Sequence, residues 1–215
     1  MTAYIFRELT PATWPDFERL FRGPGGNDHC WCMYYRRGQS AAKEAAEYRV
    51  KRDGFPEHNR RRNEALVREG RSHGILVYEE GVPIGWCAYG RADEFPAIDR
   101  GRFYRRLAPP PRGIWRIACF IVARGHRRRG VATAALRAAL EAIRDRGGGL
   151  VEAYPVAVPK TGSNTLWFGT VGMFEREGFE KVARLGASVL MRKVLPGRRR
   201  APQGSRQSRS PRRKH

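Results

Sequence analysis

Nine residues, Arg124 to Ala132, "RGHRRRGVA", decide how the chain is read. Four arginines and a histidine so close together suit a nucleic-acid patch, an anion cradle or plain arginine excess. Placement separates the three. The apolar run "IWRIACFIVA" (114–123) precedes them and has the length and composition of a central strand. After them Val131, Ala135, Ala139 and Ile143 recur every fourth residue, and Leu136 and Leu140 widen the same face, so a helix packed on a core is expected. A strand turning through glycine into a helix exposes unpaired first-turn N–H groups at the positive end of the macrodipole. Phosphate or pyrophosphate docks there when the backbone can come close. Gly130 has no side chain to obstruct that approach, and Ala132 has almost none. A G-x-G-x-x-G fingerprint and a G-K-[ST] phosphate loop are both absent.

Outward from this turn the pattern is mixed. "AYIFREL" alternates like a first strand, and "TPATWPDFERLFRG" reads as a helix with Thr13 as N-cap and Gly23 past its end. The loop "GPGGNDHCWCMYYRRGQ" is glycine-rich and then aromatic, a composition suited to walling a pocket. "SAAKEAAEYRVKRD" and "PEHNRRRNEALVREG" read as two helices, with Arg60 to Arg62 on a solvated face. "HGILVYEEGVPIGWCAYG" is a hairpin by its turn chemistry. Beyond the central helix come a strand "LVEAYPVAV", a helix "NTLWFGTVGMFEREG" and a strand pair turning near Gly186. The expected class is α/β (α+β), a mixed and mostly antiparallel central sheet with helices on both faces.

With these segments in order, "RRRGVA" (127–132) resembles the R/Q-x-x-G-x-G/A signature of the GNAT acyltransferase superfamily. "MFEREGFEKVAR" (173–184) is similar to that family's later segment, in which a helix ends in G-F and runs into a strand. The combination of "CWCMYYR", "GWCAYG", "VEAYPV" and "MFEREGF" resembles a bacterial subgroup of unassigned substrate. The likeness covers most of residues 4 to 194. It implies acetyl-CoA as donor and an amine that attacks the thioester directly, with a strand N–H stabilising the oxyanion. It places the pantetheine arm along Phe120, Ile121 and Val122. It places the pyrophosphate on Arg127, Arg128, Arg129, Gly130, Val131, Ala132 and Thr133. Phe174 is expected at the cofactor too, where many members carry a tyrosine acid; a phenyl ring cannot donate a proton. Trp167 replaces another commonly polar position.

For the proton transfers, Glu152 is the candidate base and Tyr154 the candidate acid, since they share a face of one strand at i and i+2. An equal alternative is that Glu152 pairs with an arginine and only positions the fold. Cys119 is a second candidate acid, and Glu94 and His29 are lesser candidate bases. Cys30, Trp31, Cys32, Tyr34 and Tyr35 are candidates to line the acceptor side or to anchor the loop. No metal site is expected, because C-x-C beside His29 lacks a second cysteine pair.

Composition bounds the rest. The 215 residues suit one substantial domain, expected over 1–195. Net charge is +21, of which +8 belongs to a tail from Pro196 to His215 that contains no acid and is expected to be disordered. That tail is the one part suited to a nucleic-acid partner. No apolar run is long enough for a membrane helix and the N-terminus lacks signal-peptide character, so a cytoplasmic monomer or homodimer is expected. Two other functions fit the same residues: a non-catalytic CoA-binding or regulatory protein, and a basic nucleic-acid-associated protein.

Overall fold

The computed structural model describes residues 3–37, 55–157 and 167–198. The helix expected over 40–53 and residues 199–215 of the tail lie outside these. The described elements run β1 (Ile5–Glu8), α1 (Trp14–Arg22), α2 (Phe55–Arg68), β2 (His73–Glu79), β3 (Val82–Arg91), β4 (Trp115–Val122), α3 (Val131–Asp145), β5 (Gly148–Ala153), α4 (Val171–Arg176), β6 (Glu180–Leu185) and β7 (Ser188–Pro196). The strands form one seven-stranded sheet in the order β1-β2-β3-β4-β5-β7-β6. Its pairs are antiparallel except β4 with β5, which α3 connects as a crossover.

Period-two alternation divides the core between the faces. Ile75 and Val77 pack with Cys87, Tyr89 and the apolar face of α3; Leu76 and Tyr78 pack with Trp86, Ala88 and α1. Helix α1 buries Trp14, Phe17, Leu20 and Phe21. Phe17 meets Phe21, Trp31 and the edge of Trp86. Burying side chains of this size contributes roughly 1.5–3 kcal/mol each, and Phe17→Ala is the single change most disruptive to that layer. On the other side, a Cβ at Gly85 would stand 2.5 Å from Val131, so a glycine there lets the start of α3 rest on β3.

Some local expectations change. Thr13 makes no side-chain cap for α1, because its hydroxyl donates to the Glu8 carbonyl and accepts from the Thr10 N–H. Thr10 instead caps the short turn Pro11–Thr13. Helix α4 is a short one, since Gly169 at φ 74° breaks the chain and Thr170 caps the helix that follows. At the other end β7 extends through Pro196, and Arg198 pairs with Glu141 and Asp145.

Candidate active site

The site begins where β4 and β5 part. They pair only over Trp115–Ile117 and Val151–Ala153. Pro155 and Val156 then follow β7, while β4 continues to Val122 beside β3. Opposite the step from Ala88 to Tyr89 the register jumps from Cys119 to Ile117, leaving Ala118 as an extra residue. Such a bulge reverses which face the following side chains take. Ala118 and Cys119 therefore turn toward the α1 layer, and Phe120 toward the α3 layer. Trp167 lines the cavities on both sides of the parted strands.

On the α3 side lies a cavity of about 420 Å³. Phe120, Val122, His126, Gly130, Val131, Ala132 and Thr133 line it, with Arg127, Arg128 and Arg176 supplying positive charge. Gly130 at φ 82° takes the N-cap position of α3 and no side chain caps the helix, so first-turn N–H groups face the cavity edge. A Cβ at Gly130 would meet nothing within 4 Å. The space over the helix end is open to a ligand. Arg128 is also left-handed, at φ 63°. The loop that contains Gly25 closes one wall. Arg124 N–H donates to the Pro24 carbonyl at 2.9 Å, and Arg127 reaches the carbonyls of Val122 and Gly25 at 3.2 and 3.3 Å. Arg129 points elsewhere, pairing with Glu79 at 2.9 Å beside His126. Ile121 turns its side chain into the α1 layer, leaving only its backbone toward the parted strands.

On the α1 side is a second cavity, about 460 Å³, walled by Tyr34, Tyr35, Phe95, Trp167 and Phe168 and bounded by Ala118 and Cys119. Tyr34, Tyr35 and Phe168 form an aromatic corner with ring centroids 4.8–6.1 Å apart. Burial raises the Tyr35 hydroxyl, so it stays protonated. Cys30, Cys32 and His29 complete the wall with Asn27 and Arg37. Trp31 lies off the wall that Cys30 and Cys32 line, and stacks on Phe21 as the loop's anchor.

The family model for the acetyltransferase (GNAT) family matches residues 38–169, more than half of the chain. The chain belongs to this family. Among solved structures, a putative GNAT acetyltransferase from Desulfovibrio desulfuricans is 17% identical with a TM-score of 0.51, covering 90% of this chain and 99% of its own. A Listeria monocytogenes GNAT-family acetyltransferase is 15% identical at TM-score 0.51, with 89% and 95% covered. PaiA N-acetyltransferase from Thermoplasma acidophilum, solved with coenzyme A, is 9% identical at 0.50, with 89% and 99% covered. These likenesses show the fold. No curated protein matches the chain.

Within this GNAT-family chain, Glu152 and Tyr154 meet, but away from both cavities. The carboxylate is fully buried on β5 and accepts from Tyr104 and Tyr154 at 2.7 Å each and from Arg192 at 2.8 and 2.9 Å. Arg116 lies 3.9 Å away and is itself tied to Asp99. Burial, with the carboxylate beside it, holds the Tyr154 hydroxyl well above its ordinary range, and burial holds that of Tyr104 up at about 12. Their protons are committed to Glu152. Such a satisfied network joins strands rather than presenting a proton acceptor to a cavity. Glu94 is likewise a clamp, bonded to Arg36 at 2.9 Å, His73 at 2.8 Å and the Arg91 N–H at 2.9 Å. Phe174 is buried between Phe120 and Phe179 beneath the first cavity, not on its wall. Arg176, Gly25 and Phe168 were missed in the sequence. The three glycines of "GPGG" hint at Gly25, by a close approach: a Cβ there would stand 2.9 Å from Arg124 N.

No helix among the described residues is long and apolar enough to cross a membrane. Nor do the described residues gather three or more potential metal ligands.

Proposed function

We propose that the protein is an N-acetyltransferase that moves an acetyl group from acetyl-CoA to a primary amine by direct attack. The observation that carries this reading is the parting of β4 from β5, with an anion cradle on one side and an aromatic cavity on the other. The first-turn N–H groups of Val131, Ala132 and Thr133 would hold the pyrophosphate, and Arg127, Arg128 and Arg176 would add charge-assisted hydrogen bonds. Backbone groups of Phe120 to Val122 would align the pantetheine arm, which brings the thioester to the level of Cys119 and Trp167. A strand N–H near the bulge would receive the oxyanion. The bound donor supplies the activated acyl carbon; the chain supplies position.

The aromatic cavity is the acceptor side. Asp93, Glu94 and Glu152 are absent from its wall, and none of its described lining residues is acidic. This supports an amine carried on a flat apolar body over a polyamine. The ammonium loses its proton to solvent before attack. The sulfur departs as a thiolate, which with a pKa of about 8.5 is an adequate leaving group without a tyrosine acid. Glu152 and Tyr154 position β4, β5 and β7 instead of transferring protons. The catalytic domain would comprise the sheet and its helices to about residue 195, with the basic tail as an accessory.

Thiol release from acetyl-CoA across a panel of arylalkyl, aliphatic and polyamine acceptors tests this. Acceptor-dependent release, highest with arylalkyl amines, is expected. Tight acetyl-CoA binding with no acceptor-dependent release would favour a non-catalytic CoA-binding protein.

A further inference from the structure

Two acid-free stretches of the sequence, 100–140 and 181–215, meet at the turn between β6 and β7. There Phe103 lies against Gly186: a Cβ on that glycine would stand 2.7 Å from the ring, so a glycine is what admits it. Phe103 is nonetheless 40% exposed. The guanidinium carbons of Arg102 and Arg106 stand 5.1 and 5.9 Å from its centroid. Arg105 is exposed on the same single-turn helix, Tyr104–Arg106. Arg184 joins from β6, its Nε donating to the Gly186 carbonyl at 3.1 Å. None of these residues lines the cradle.

These arginines lack counter-charges. Elsewhere Arg60, Arg129, Arg137 and Arg146 each lie 2.5–2.9 Å from a carboxylate. Among the described residues Arg102, Arg105, Arg106 and Arg184 make no ion pair. Like charges held together repel, and an anionic partner relieves the repulsion. Guanidinium forks match phosphate oxygens two at a time, and they stack on flat rings as an ammonium does not. The exposed phenyl ring beside them offers a face on which a base stacks. An acidic peptide would use the charges and leave the ring idle, and a lipid surface would need a wider apolar face.

We infer that Phe103, Arg102, Arg105, Arg106 and Arg184 form a binding surface for single-stranded nucleic acid. The guanidiniums take phosphates and Phe103 takes a base, without reading sequence. The tail was the part expected to suit such a partner; this surface belongs to the folded sheet and its connections. It adjoins the proposed acceptor side. Tyr35 walls the aromatic cavity and also lines, with Arg102 and Phe103, a hollow of about 150 Å³.

Fluorescence anisotropy of labelled oligouridylate and oligothymidylate with the full chain, over a range of salt, tests this. Comparing full-chain variants cancels the tail's own contribution. Arg102→Glu/Arg106→Glu should weaken binding at least about tenfold and flatten the salt slope by about 1.4, two phosphate contacts at ~0.7 each. Phe103→Ala should weaken it severalfold and leave the slope unchanged, since stacking releases no counterions. Arg19→Glu/Arg68→Glu makes the same change of charge at exposed positions of α1 and α2, and should cost less than about twofold. Circular dichroism verifies folding; should Phe103→Ala fold poorly, the contrast between the two double variants decides. No binding at about 0.1 M salt, equal losses in the two double variants, or competition by polyglutamate as strong as by the oligonucleotide would overturn the inference. The readout is independent of acetyl transfer, so it stands or falls separately from the proposed activity.

Discussion

Cys119 and Phe120 are neighbours on β4, yet Cys119 lines the aromatic cavity and Phe120 the cavity over the cradle. Alternation puts neighbours on opposite faces, and the extra residue Ala118, by shifting the pleat where the strand loses its β5 partner, sets which of the two takes which cavity. The donor strand thereby addresses both proposed substrates over two residues.

Filling one side should spare the other. Ala118→Leu adds volume at the wall of the aromatic cavity and none to the cradle. The expected outcome is an acceptor KM raised about tenfold or more, with acetyl-CoA affinity by calorimetry within about twofold. Overpacking at a buried site costs typically 1–3 kcal/mol, so melting is followed in parallel.

The arginines of the turn should not be equivalent. Arg127→Ala, Arg128→Ala and Arg176→Ala each remove a guanidinium at the cradle. Each should weaken acetyl-CoA by about 1.5–3 kcal/mol, the range for hydrogen bonds to charged groups. The loss should shrink at high salt. Arg129→Ala should leave affinity nearly unchanged, because that guanidinium is spent on Glu79. Calorimetry of the four variants checks the contrast.

Glu152→Ala leaves Arg116, Arg192 and two tyrosine hydroxyls around a buried gap. Removing one partner of a buried charged network costs about 3–5 kcal/mol, measurable by urea denaturation. The milder Glu152→Gln separates structure from catalysis. Its kcat/KM should rise with pH at the acceptor amine's own pKa, as in the wild type. A missing basic limb would restore Glu152 as the general base.

Glu94 gives a pH prediction for stability. Burial works to raise its carboxyl, but hydrogen bonds from His73 and Arg36 outweigh burial and hold it below the ordinary value. A depressed folded-state pKa contributes stability that is fully present above the unfolded value, about 4.3, and lost as pH falls through the folded value. Glu94→Gln should therefore destabilise the protein at pH 7 and narrow its difference from the wild type below that window. Urea melts between about pH 2 and 7 test the sign.

Sheet, crossover helix and the glycine turn between strand and helix were legible because each rests on local pattern: a long apolar strand, a four-residue apolar repeat, and glycine at the turn. The aromatic loop was legible as a pocket wall, with Trp31 the exception, because alternation cannot show which ring of "CWCMYY" faces inward. Glu152 was read on the correct strand but with its role open. Its partners Tyr104, Arg116 and Arg192 come from three separate segments, and only the folded chain shows that its lone pairs are filled. Arg176 was missed since one arginine at the end of a short helix has no periodic signature. That Cys119 takes the α1 side depends on a bulge, which no side-chain pattern announces.

The cradle at Gly130 carries the account, and calorimetric titration of acetyl-CoA into Gly130→Glu tests it most directly. The substitution puts a carboxylate into the open space over the end of α3 and strains a backbone at φ 82°. With the fold verified by circular dichroism, affinity should fall at least about a hundredfold, the repulsion adding to the lost approach. Wild-type affinity in a folded Gly130→Glu protein would contradict the cradle.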